Sequence, residues 1–113
     1  MSPFIIDRVL TEATNLLKTK GWVQRVMKNN SGFCALGAVR TATEKVKLTL
    51  TVEERINPEN YEIYSNIKRF LEYILDDKDC MNIIVWNDQE GRTKEEVIAL
   101  FTKAKEINNA GIR

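Results

Sequence analysis

Apolar side chains recur every three or four residues along three stretches of the chain, and each stretch carries helix punctuation at its ends. Ile6, Val9, Leu10, Ala13, Leu16 and Leu17 follow the spacing of one helix face. Ser2 takes the N-cap position before Pro3, and Lys18-Thr19-Lys20-Gly21 ends the stretch with cations and a glycine. Asn57-Pro58 opens a second stretch in the same way. Tyr61, Tyr64, Ile67, Phe70, Leu71, Ile74 and Leu75 then predict a helix from Pro58 to Leu75. Thr93-Lys94-Glu95-Glu96 reads as a capping box opening a last helix with Val97, Leu100, Phe101 and Ala104 on its apolar stripe. Asn108-Asn109-Ala110-Gly111 and the residues to Arg113 are expected to fray.

Between these lie less regular pieces. Gly21-Trp22 opens a connecting segment that closes in the turn chemistry of Lys28-Asn29-Asn30-Ser31-Gly32. Phe33 to Val46 predicts a helix in which Cys34, Ala35, Gly37, Ala38, Thr41 and Ala42 are small, as in a central helix approached closely by a partner. Residues 46–52 alternate apolar and polar, which fits a strand or a helix tail followed by a loop. Ile83-Ile84-Val85-Trp86 reads as a short extended run, and a minor two-stranded element pairing 46–52 with 82–86 stays open. The expected fold is mainly α, four helices around one core, in a single domain over residues 1–113.

Composition changes the picture chiefly by subtraction. The chain has 17 Lys plus Arg, 16 Asp plus Glu and no histidine, for a formal charge of +1. Without histidine there is no Ser-His-Asp or Cys-His nucleophile pair and no imidazole proton shuttle. The near-zero charge argues against a nucleic-acid partner, which needs clustered Lys and Arg. No apolar run is long enough to span a bilayer and no basic-then-apolar leader opens the chain, so a cytoplasmic protein without a membrane partner is expected. Cys34 and Cys80 form no C-x-x-C pair, and Asp76-Asp77-Lys78-Asp79 lacks the spacing of a calcium loop and reads as a solvated turn. No metal, cofactor or catalytic residue is expected, and Cys34 reads as packing.

One segment has more chemistry than a turn requires. Trp86-Asn87-Asp88, then Gly91-Arg92-Thr93, puts an indole, a carboxamide, a carboxylate and a guanidinium just before a helix start, where anions are favoured. Trp22 could supply a second aromatic wall beside Trp86. The competing reading is structural: Asp88 accepts backbone amides, Arg92 pairs with it, Trp86 plugs the core and Trp22 packs on the second helix.

Three islands together resemble a family of small uncharacterised proteins of bacteria and their phages: Gly21-Trp22, Cys34-Ala35-Leu36-Gly37-Ala38, and Trp86-Asn87-Asp88 with Gly91-Arg92-Thr93 through Glu96-Val97. That family carries a G-W near the first helix, a C-x-x-G-A helix and a W-N-D-x-x-G-R-T-x-x-E-V segment. This chain departs by Gln89-Glu90, where the family commonly has proline. The resemblance implies no known reaction. The expected function is a non-enzymatic interaction protein, a phage accessory factor acting on a host process or defence system, binding a host protein or a second copy through Trp22, Trp86, Asn87, Asp88, Arg92 and Thr93. The alternative is a binder of a nucleotide or another small anion at the same residues.

Overall fold

The first helix, α1 (Pro3–Lys20), turns its apolar face onto two others and is the centre of the fold. The computed structural model describes residues 2–75 and 82–111. Among them, a small antiparallel hairpin follows α1, pairing β1 (Lys28–Asn29) with β2 (Gly32–Phe33). Then come α2 (Ala35–Lys47), α3 (Val52–Ile56), a 3-10 turn (Pro58–Asn60), α4 (Ile63–Leu75), α5 (Ile83–Asp88) and α6 (Lys94–Ala110). α1 packs against α2 and α6, α4 closes over α2 and α6, and α5 wedges between α2 and α4. Leu10, Leu17, Leu36, Ile67 and Phe101 are fully buried where these helices meet. The mainly α expectation holds, with four long helices and two short ones among the described residues. No helix among them is long and apolar enough to cross a membrane.

Helix ends follow local chemistry closely. Thr93 and Glu96 form the expected capping box, each side chain engaging the other residue's backbone amide. Asn57 accepts from the Glu59 amide and caps the 3-10 turn. Gly21 ends α1 at φ 102°, a conformation that glycine adopts without a Cβ penalty.

Of the two readings of residues 46–52, the helix tail followed by a loop holds and the strand does not: α2 runs through Lys47, and Thr51 with Glu54 builds a second capping box that starts α3. Several other expectations are corrected. The apolar run at 83–86 is helical, because Asn82 Oδ1 accepts from the Ile84 and Val85 amides and caps α5. Its burial is one-sided, with Ile83 and Trp86 inside and Ile84 and Val85 outside. The two-stranded element is therefore the hairpin of β1 and β2, and 46–52 and 82–86 do not pair. The helix expected from Pro58 is broken before Ile63, where Glu62 takes φ 57°. In α1, Ile5 is the buried residue and Ile6 packs at the margin. α6 stays helical through Ala110, and Asn108 Nδ2 donates to the Pro3 carbonyl at 2.8 Å, tying its last turn to the start of α1. Cys80 and the run Asp76 to Asp79 lie outside the described residues.

The small residues of α2 sit in a closely packed central helix, as expected, with α1 lying along it and Ala35, Ala38 and Ala42 fully buried. Gly37 has a further reason: a Cβ there would stand 1.8 Å from the Met27 carbonyl oxygen, so at this position the close neighbour is the connecting segment. The same segment is drawn in by Phe33, whose amide donates to the Gly21 carbonyl while its own carbonyl accepts from Val23.

Candidate functional site

Asn87, at the end of α5, organises the expected site. The residue is 1% exposed and its carboxamide makes four hydrogen bonds. Oδ1 accepts from Trp22 Nε1 at 2.7 Å and from the Ala35 amide at 2.9 Å. Nδ2 donates to the Val23 carbonyl at 3.2 Å and to Asp88 Oδ1 at 3.0 Å. Asp88 Oδ1 also accepts from the backbone amide of Arg25, which is held at φ 71°. Gln24 Nε2 donates to the carbonyls of Asn87 and Gln89. Gly21-Trp22 and Trp86-Asn87-Asp88, far apart in sequence, are thus the two jaws of one polar clamp that fixes the connecting segment over α2.

Arg92 completes the other side. Its guanidinium lies 4.1 Å from the centroid of the Trp86 ring, a cation–π stack. Nε donates to the Trp86 carbonyl at 2.9 Å, one terminal nitrogen to Glu96 Oε2 at 2.7 Å, and the other to Gln89 Oε1. This hydrogen bond from Arg92 holds the Glu96 carboxyl below its ordinary range. Arg92 therefore seals the indole and does not pair with Asp88. The Thr93 amide donates to Glu96 Oε1 and the Glu96 amide to Thr93 Oγ1. An anion at the start of α6 would have to displace Glu96 and Gln89.

The two tryptophans face different surroundings. Trp22 is turned toward Asn87, whereas Trp86 borders a shallow depression of about 350 Å³ with Leu75, Leu100 and Lys103. Cys34 is the N-cap of α2, its Sγ accepting from the Gly37 amide at 3.3 Å and lying 3.7 Å from Met27 Sδ. Burial pushes its thiol pKa up, outweighing the Gly37 hydrogen bond that pulls it down. The helix terminus does not turn Cys34 into a thiolate. No cluster of three potential metal ligands occurs among the described residues.

A different surface carries the features of a binding site. α3 buries none of its residues. Its Val52 and Ile56, one helical turn apart on one face, are 70% and 65% exposed, and nearby Leu48 is 79% exposed. Beside them opens a cleft of about 450 Å³, floored by Leu50, Asn60 and Ile63 and edged by Leu48 and Tyr61. Its rim carries Glu44, Lys47, Arg55 and Glu62, two acids and two bases.

The model of a family of unknown function, DUF6197, matches residues 1–107. The chain belongs to that family. No curated protein and no solved structure matches it. The match takes in the whole clamp and the whole α3 surface of this DUF6197 chain.

Of the six residues singled out in the sequence, Trp22, Asn87 and Asp88 meet in the clamp, while Trp86, Arg92 and Thr93 form the adjoining stack and cap. The α3 surface was missed. Its signal was available: Thr51-Val52-Glu53-Glu54 is a capping box that starts a helix too short to have an apolar stripe inside the core.

Proposed function

We propose that this DUF6197 protein is a non-enzymatic protein-binding module whose contact surface is the apolar shelf of α3 with Leu48 and Tyr61. One observation carries the reading. A five-residue helix does not persist on its own, because nucleation is costly and few internal hydrogen bonds repay it. Here α3 is held in place by its Thr51–Glu54 box, by Asn60 Nδ2 donating to the Glu54 carbonyl at 2.8 Å, and by the Tyr61 hydroxyl donating to the Ile56 carbonyl. All that machinery presents Val52 and Ile56 to solvent. Exposed apolar patches with polar rims are the usual mark of a protein contact. The clamp at Asn87 supports the reading indirectly, since its polar groups are engaged within the chain. The wider setting, a phage accessory factor acting on a host process or defence system, belongs to the same proposal and rests on the sequence resemblance.

Paired capture tests the reading. The wild-type chain and the double variant Val52→Glu, Ile56→Glu serve as baits in one host lysate. A protein retained by the wild type, lost by the variant, and reproduced with both components purified is the expected result. Identical retention by the two baits overturns it.

A further inference from the structure

The cleft beside α3 holds a feature that the shelf alone does not explain. Asn60 is 7% exposed. Its Nδ2 donates to the Glu54 carbonyl, and since a carbonyl only accepts, the other carboxamide atom is the oxygen. That Oδ1 is buried and has no hydrogen-bond partner among the described residues. Buried acceptors are nearly always satisfied, so an orphan in the floor of a cleft is a place for a donor from another molecule.

The surroundings define that donor's carrier. Leu48, Leu50, Tyr61 and Ile63 offer an apolar seat, and a rim of balanced charge favours neither an anion nor a cation. Leu48 and Tyr61, at the edge of the cleft, are themselves largely exposed and can change rotamer quickly, which lets the cleft widen toward Asn60. An extended peptide presents an apolar side chain and a main-chain N–H from the same residue, which matches a seat and an acceptor side by side. Resting on the protein-binding reading above, we infer that the cleft takes one aliphatic or aromatic side chain of an extended partner segment, whose main-chain N–H donates to Asn60 Oδ1.

The test titrates the ¹⁵N-labelled full chain with N-acetyl-leucine methylamide and N-acetyl-phenylalanine methylamide, and with the fully N-methylated form of each. The expected result is a shift of the Asn60 side-chain amide and of the Leu50 and Ile63 backbone signals. Affinity should be roughly tenfold weaker for the methylated probes, the worth of one hydrogen bond. Asn60→Leu should abolish that discrimination; because this variant also removes the tie to Glu54, the methylated probes on the wild-type chain decide by themselves. Equal binding of both probe types, or no shift at the solubility limit, overturns the inference. Sedimentation that shows a dimer masking the same signals also overturns it, and gives the cleft to a second copy. If the probes are silent while Val52→Glu, Ile56→Glu still loses a captured protein, only this inference falls. Retention that is unaffected by those substitutions removes the shelf itself.

Discussion

The indole nitrogen of Trp22 donates to the carboxamide oxygen of Asn87 at 2.7 Å, across 65 positions of sequence. This contact and the Ala35 amide bond on the same oxygen join the connecting segment, the start of α2 and the end of α5 at one atom. Removing that atom should be costly. Asn87→Ala leaves the Trp22 and Ala35 donors buried and unpaired, and a loss of roughly 3–4 kcal/mol is expected in chemical denaturation. Trp22→Phe removes one donor and leaves Oδ1 with Ala35, so about 1 kcal/mol is expected. The two losses should be strongly non-additive in a double-mutant cycle.

Trp86 is 7% exposed beneath the Arg92 guanidinium. Truncation to alanine should therefore cost about 3–5 kcal/mol, as for other buried aromatics. Arg92→Lys keeps the charge but cannot reproduce the planar three-nitrogen arrangement over the ring. A smaller loss of about 1–2 kcal/mol is expected, read as a shift in denaturation midpoint.

Acid should weaken this corner. The hydrogen bond from Arg92 lowers the Glu96 carboxyl pKa in the folded chain relative to its ordinary 4.5. A depressed folded pKa gives stability that is present above the unfolded value and lost as pH falls through the folded one. The same sign holds for Glu54, lowered first by the Thr51 amide. The stability–pH curve should fall below about pH 4.5, and Glu96→Gln together with Glu54→Gln should flatten that fall.

Gly37→Ala places a methyl group against the Met27 carbonyl, where neither backbone can yield without moving the segment off α2. More than about 2 kcal/mol of destabilisation is expected. The same opening should be visible chemically. In a Cys80→Ser background the Cys34 thiol, buried and raised in pKa, should react slowly with iodoacetamide at pH 8 and much faster in Gly37→Ala. Equal rates, followed by mass spectrometry, would show that the segment does not cover the thiol.

The long helices were legible because their information is periodic and local. α1, α2 and α6 carry caps and stripes within a few residues of where they end. What stayed hidden depends on distant partners. Ile83 to Trp86 looks like a strand until the Asn82 cap is weighed, since a four-residue apolar run has no period of its own. The Pro58 helix failed at Glu62 because a left-handed residue leaves no mark in a favourable spacing. The Trp-Asn-Asp segment was recognisably unusual, but its role lay in Trp22, Val23, Arg25 and Ala35, which no spacing rule connects to it. The α3 surface left only a local sign, the Thr51–Glu54 capping box: its apolar residues face no partner in the chain, so no periodicity with the core marks them.

A side-chain carboxamide is chemically a peptide group, and Asn87 is used as one. Its oxygen takes the amide hydrogen of Ala35 and its nitrogen serves the carbonyl of Val23, so it stands beside the chain as a strand of a single residue would. Aspartate copies only the oxygen half of this unit, and leucine copies only its shape. Neither can splice a connecting segment with so little ladder of its own onto the end of a helix.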